Sequence, residues 1–281
     1  MNQPEFILYP ELLENNDWGV NNIILDNDTN LLENTDFNDV GYKVFNINNF
    51  NNMLTQLIQE TIYSVTKKTI DIGNYHNEIS DEEHTKIINI MPYKKTLNND
   101  IESMCIYLEE YISNALNAPI KIFNDDLWIR ICRPNCKDNN NTDFNPCHRD
   151  IYLDFYRNIV NIYLPICGSN ELSSLKIQPG SHRWNENQTI VTKGGAYFKS
   201  TNKKYSVDAI IASKTPLEMI RPNPNYNQMM LFSPYLIHGC SDNANSNITR
   251  FSLEIRFIKD NKESKEQEEN FNQFLKIRNW R

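Results

Sequence analysis

The sequence predicts a mainly β protein flanked by α-helices, and two hydrophobic periods carry that prediction. Between residues 48 and 116 apolar residues recur three and four apart, as they do along one face of a helix; from Leu127 onward they alternate, as in half-buried strands. A third observation is a series of short strand-like runs separated by Pro, Gly, Asn and Ser, the pattern of a sandwich or barrel.

Residues 1–40 are polar, with small apolar clusters at Phe6–Tyr9 and Ile23–Leu25, and read as an arm wrapping the surface. Phe50, Met53, Leu54, Leu57, Ile58, Ile62 and Val65 define a first helix between Asn48 and Lys68. Ser80-Asp81-Glu82-Glu83 fits a capping box that opens a short second helix, ended by Pro92. Ile101, Met104, Cys105, Leu108, Tyr111, Ile112 and Leu116 mark a third helix from about Leu97 to Leu116. All three read as packing elements without chemistry of their own. Strands are expected at Leu127–Arg133, Asn158–Ile166, Leu172–Gln178, Ala209–Ala212, Leu217–Ile220, Gln228–Phe232 and Arg250–Ile258. Glu263–Trp280 is helix-like, highly charged and expected to be exposed. With no repeat and no linker composition, 1–281 reads as one domain: arm and helices 1–123, β core 124–258 and tail 259–281.

Composition narrows the function. A net charge of −8 and a pI near 5.2 disfavour a nucleic-acid partner, which needs a basic stripe. No apolar run is long enough for a membrane span and no charged-then-apolar leader opens the chain. Cys105, Cys132, Cys136, Cys147, Cys167 and Cys240 are irregularly spaced and read as reduced thiols of a cytoplasmic protein, although Cys132-x-x-x-Cys136 has the form of half a zinc site. Asn makes up about one residue in seven, which fits an AT-rich coding sequence better than a functional account.

The chemistry concentrates in His148-Arg149-Asp150, His238 and Arg250. If the triplet is extended, His148 and Asp150 share a face and Arg149 points away. Two imidazoles and one carboxylate with open positions beside them form the facial donor set of non-haem Fe(II) oxygenases. Arg250 then offers a two-pronged site for a dicarboxylate, with Ser252 on the same strand face. Arg256 lies six residues along the strand and is the rival anchor, otherwise expected to serve stability or substrate.

The order of these motifs resembles the phytanoyl-CoA dioxygenase branch of the Fe(II)/2-oxoglutarate-dependent oxygenases. The resemblance covers residues 124–258 through His148/Asp150, Pro179-Gly180-Ser181-His182, His238-Gly239 and Arg250, and extends weakly to Gly41-Tyr42-Lys43-Val44-Phe45. It implies a double-stranded β-helix (a cupin-like jelly roll) with His148, Asp150 and His238 as catalytic ligands of Fe(II). It further implies 2-oxoglutarate and O2 as co-substrates, Arg250 and Ser252 as the carboxylate site, and hydroxylation of a small molecule with release of succinate and CO2. Trp128, Arg130, Asn161, Tyr163 and Tyr235 are the candidate substrate contacts, and the polar stretches 135–145 and 185–208 are candidate lids. A metalloenzyme of cupin type that does not use 2-oxoglutarate, and a metal-free binding protein on the same barrel, remain as alternatives. The sequence names neither the substrate nor the oligomeric state.

Overall fold

The computed structural model describes residues 7–8, 18–19, 36–134, 145–197, 204–239 and 242–277. In chain order its elements are β1 (Ile7–Leu8), β2 (Trp18–Gly19), β3 (Tyr42–Asn46), α1 (Asn51–Thr66), α2 (Tyr75–Glu78), α3 (Asp81–Ile90), β4 (Pro92–Lys94) and α4 (Asn99–Leu116). They continue with β5 (Ile120–Cys132), β6 (Ile159–Cys167), β7 (Thr189–Thr192), β8 (Ala196–Tyr197), β9 (Lys204–Tyr205), β10 (Ile210–Ser213), β11 (Gln228–Phe232), β12 (Arg250–Lys259) and α5 (Lys262–Ile277).

The strands form a six-stranded antiparallel sheet, β3-β11-β6-β12-β5-β4, and a four-stranded sheet, β1-β10-β7-β2, with a small β8-β9 ribbon. This is the expected jelly roll with flanking helices. Alternation along each strand of the larger sheet sorts its side chains. Phe251, Leu253, Ile255 and Phe257 of β12, with Val160, Ile162, Leu164 and Ile166 of β6, join the helical residues Leu54, Ile58, Ile62, Ile101, Leu108 and Ile112 in one core. The opposite parity, including Asn161, Tyr163, Ser252 and Glu254, faces the barrel interior, where Tyr163, Met230 and Phe232 pack with Ile177 and Leu236.

Strand β5 keeps this division despite a break in its period. Asn124 and Asp125 both adopt positive φ, 57° and 53°, so Ile120 and Ile122 precede the irregularity and Leu127, Ile129 and Ile131 follow it on the helix-facing side. The predicted capping box is present: the Ser80 side chain accepts from the Glu83 amide, and the Glu83 carboxylate accepts from the Ser80 amide.

Several expectations are corrected. Leu172–Gln178 and Leu217–Ile220 are not strands: they meet through a single bridge, Ile177 to Ile220, because Asn170 and Ser173 build a turn with side-chain hydrogen bonds where a ladder would begin. The strand expected at Gln228–Phe232 is present with those bounds, and the Ser233 hydroxyl then accepts from the Tyr235 amide and turns the chain before His238. Two pieces of the expected surface arm instead extend the smaller sheet, β1 on β10 and β2 on β7. Helix α5 is not an exposed tail: Phe271 and Leu275 are buried against Phe123, Tyr156, Ile159 and Ile258. Among the described residues no helix is long and apolar enough to cross a membrane.

Candidate metal centre

His148 and His238 are brought together by the backbone. The two residues exchange both main-chain hydrogen bonds, each 3.0 Å, and the Asp150 amide donates to the Pro234 carbonyl at 3.0 Å. Asp150 does not continue the extended triplet but opens a short 3₁₀ turn, Asp150–Tyr152, and this turn carries its carboxylate back toward the histidines. One donor atom from each of His148, Asp150 and His238 lies within 4.8 Å of the others, and all three residues are buried.

The hydrogen bonds fix which atoms face inward. His148 Nδ1 lies 2.6 Å from the Pro146 carbonyl and His238 Nδ1 lies 2.9 Å from the Leu236 carbonyl. A carbonyl only accepts, so each Nδ1 carries the proton and each Nε2 keeps its lone pair. Those Nε2 atoms stand 3.6 and 3.8 Å from the Asp150 oxygens. Burial first, and then the neighbouring His148, push His238 down to about 4 against the pull of Asp150, so its ring is neutral near pH 7. Burial would raise Asp150, but Arg256, His238 and His148 outweigh it and hold the carboxyl ionised, far below its usual range. Asn161 Nδ2 donates to Asp150 Oδ2 at 2.8 Å, and Arg256 Nη2 stands 3.7 Å from Oδ1. Two imidazoles oriented through their Nδ1 hydrogen bonds and a supported carboxylate fit an Fe(II) ion.

Two further devices hold the ligands. Arg149 points away as expected and is fully buried, paired with Glu186 and donating to the carbonyls of Ser181 at 2.7 Å and Trp184 at 3.1 Å. It therefore ties the ligand triplet to the Pro-Gly turn. Gly239, at φ 102°, allows the His238 segment to lie against Pro146: a Cβ there would sit 2.4 Å from the Pro146 carbonyl.

The ligands border a cavity of about 270 Å³ also lined by Trp128, Arg130, Asn161, Arg250, Glu254 and Arg256. Trp128, Arg130, Asn161 and Arg250 are thus brought to the centre. Ser252 and Tyr163 are fully buried and do not line this cavity; Tyr163 bonds Ser169 through its hydroxyl at 2.8 Å and lies against Arg250. Tyr235 is buried and is also outside the lining. Arg250 Nε and Nη1, and Ser252 Oγ, are buried without a hydrogen-bond partner. A buried donor left unpaired costs about 1–3 kcal/mol, more when charged, and of these two residues only Arg250 reaches the cavity wall.

Sequence reasoning missed Glu254, whose carboxylate accepts from Arg130 Nε at 2.9 Å and which burial, opposed by Arg130 and Arg256, leaves below its ordinary value. Its position two residues beyond Ser252 on β12 was the available signal. It also gave the helical layer no part in the site, yet Ile88, Asn89 and Met91 reach the cavity wall. Cys136, Cys240, most of the 135–145 stretch and residues 198–203 of the 185–208 stretch lie outside the described residues; Cys105, Cys132, Cys147 and Cys167 are in no disulfide.

No protein-family model matches the chain, and no curated protein matches it significantly. Solved structures resemble it at low identity. EvdMO1 is 16% identical with a TM-score of 0.47 over 80% of this chain, which spans about half (48%) of that structure's length. EctD from S. alaskensis is 11% identical with a TM-score of 0.45, covering 91% of this chain and 84% of its own. AviO1 from Streptomyces viridochromogenes Tue57 is 12% identical with a TM-score of 0.44, covering 85% and 97%. Likeness of this depth assigns no reaction, cofactor or substrate.

Proposed function

We propose that the chain is an Fe(II)/2-oxoglutarate-dependent dioxygenase, acting as a single domain, that hydroxylates a small molecule. The observation that carries the reading is one buried cavity containing both an oriented His148–Asp150–His238 donor set and an Arg250 guanidinium with unpaired nitrogens. The sequence motifs His148-x-Asp150, Pro179 to His182, His238-Gly239 and Arg250 favour the phytanoyl-CoA dioxygenase-like branch. The free thiols suit a cytoplasmic setting.

When bound, Fe(II) with 2-oxoglutarate and O2 would supply the oxidising chemistry, with succinate and CO2 as co-products. The chain's residues bind and orient. His148 and His238 present Nε2, and Asp150 presents a carboxylate that Asn161 and Arg256 keep ionised and aimed. Arg250 would hold the distal carboxylate of 2-oxoglutarate, with Tyr163 against its guanidinium and the unpaired Ser252 hydroxyl buried behind the cavity lining. Trp128 and Arg130 wall the side on which substrate approaches. Asn161 serves the metal ligand Asp150, and Tyr163 the co-substrate anchor, in place of contacts to substrate.

The test is metal stoichiometry and succinate release in the wild type and in His148→Ala and Asp150→Ala. The wild type should hold one iron per chain and release succinate from 2-oxoglutarate, and both variants should lose turnover while remaining folded. Unchanged metal content and turnover in both variants would remove the assignment. Metal binding without any use of 2-oxoglutarate would favour the cupin-type alternative.

A further inference from the structure

A second chamber adjoins the first at His148 and Asp150. It too measures about 270 Å³, and it shares His148, Asp150, Trp128, Arg130, Asn145 and Arg256 with the first. Its remaining walls differ in chemistry from the inner one. Phe155 and Tyr156 come from the turn after the ligand triplet, Phe271, Phe274 and Leu275 from α5, and Val207 from the segment after β9. Phe155 is the hub of the aromatic wall, with ring centroids 4.7 Å from Tyr156, 4.9 Å from Phe271 and 5.0 Å from Phe274. The inner chamber holds Arg250, Glu254 and Asn161.

Of the cations that line this chamber, Arg130 is paired with Glu254 at 2.9 Å, and Arg256 stands 3.7 Å from Asp150 and 4.7 Å from the centre of the Tyr156 ring, with its Nε unpaired. A strongly hydrated guest would lose hydration to the aromatic carbon of the remaining wall. The volume lies at the small end of ligand sites, ~300–1,000 Å³.

We infer that the substrate is a small molecule with an aromatic or alicyclic ring, seated between α5 and the Phe155–Tyr156 turn with one edge at the metal ligands. This deepens the proposed oxygenase function and rests on it for the word substrate. Helix α5 is then a specificity element, and Phe274, half-buried on its inner face, is the position at which ring binding is most directly sensed.

The experiment uses the full chain loaded with Co(II), with indole as the ring probe and myo-inositol as the polar control, and binding read by calorimetry. Wild type and Phe274→Leu should bind indole within threefold of each other, Phe274→Asp at least tenfold more weakly, and none should bind myo-inositol comparably. The Co(II) absorption spectrum should be the same in all three, showing an intact metal centre. Should Phe274→Asp lose that spectrum, Val207→Asp on the facing wall takes its place with the same expectation. Absent indole binding by the wild type, indole binding insensitive to the aspartate in a variant with an intact Co(II) spectrum, or equal binding of myo-inositol would each overturn the inference. Failure of 2-oxoglutarate to bind beside the metal would instead count against the oxygenase reading and leave the indole result standing.

Discussion

Arg250 is buried with two of its nitrogens unpaired, while Asp150 a short way along the same cavity is supported by both an amide and a guanidinium. These unlike environments separate the roles of the residues around the centre. A charge-assisted hydrogen bond contributes ~1.5–3 kcal/mol, so Arg250→Ala should raise the 2-oxoglutarate concentration needed for half-maximal succinate release by roughly tenfold or more. Its metal content should be unchanged. Removing a partner of a ligating carboxylate costs about 10–100-fold in metal affinity. Asn161→Ala and Arg256→Ala should therefore weaken Co(II) binding over that range, measured by competition with a chromophoric chelator, and equal affinity in the wild type and both variants would contradict the support role. At this scale the His148–Asp150–His238 cluster was legible because residue type and order limit which side chains can gather as metal donors. The role of Arg256 was not: strand parity placed it on Arg250's face, but only the turn that folds Asp150 back shows that its guanidinium meets the carboxylate.

Elements place these residues through a few local decisions. The paired positive φ values at Asn124 and Asp125 let one long strand keep its apolar side toward the helices while Trp128 and Arg130 face the cavity. No hydrophobic period can show such a shift in advance, because the sequence on either side alternates equally well. Helix α3 was readable from Ser80 and Glu83, since capping is local chemistry. Helix α5 was misread because its buried stripe is only Phe271, Phe274 and Leu275 among many charges, and the Lys121–Glu268 contact at 2.9 Å that helps seat it joins residues far apart in sequence. The Gly239 turn gives the sharpest test at this scale. Forcing a side chain into such a conformation costs about 1–3 kcal/mol before any clash, and here the added Cβ would also meet the Pro146 carbonyl. Gly239→Ala should lower the unfolding midpoint and reduce metal affinity together. Gly180→Ala, where the nearest atom to a Cβ is 3.8 Å away, should cost stability alone.

Across the whole molecule the jelly roll was legible because its larger sheet repeats one simple alternation, buried toward helices on one side and polar toward the cavity on the other. The smaller sheet was less so: β1 and β2 are two-residue strands from a polar segment, and too short to show any period. What joins the ligand triplet to the Pro-Gly turn is the fully buried Arg149, whose ion pair with Glu186 no local pattern encodes. Arg149→Ala would leave that carboxylate buried without its partner, a loss of about 3–5 kcal/mol. Urea unfolding of the metal-free protein should show it as a lower midpoint with little change in slope. On the proposed oxygenase reading, the assembled cavity makes one demand that neither a bare jelly roll nor a lone metal site makes: metal and dicarboxylate must bind together. Anaerobic titration of the protein with Fe(II) and then 2-oxoglutarate measures this most directly. A weak visible metal-to-ligand absorption band should appear and saturate at one 2-oxoglutarate per iron, and should require a much higher concentration in Arg250→Ala. Absence of the band in wild-type protein that has taken up one iron, together with no calorimetric binding of 2-oxoglutarate, would contradict the oxygenase assignment.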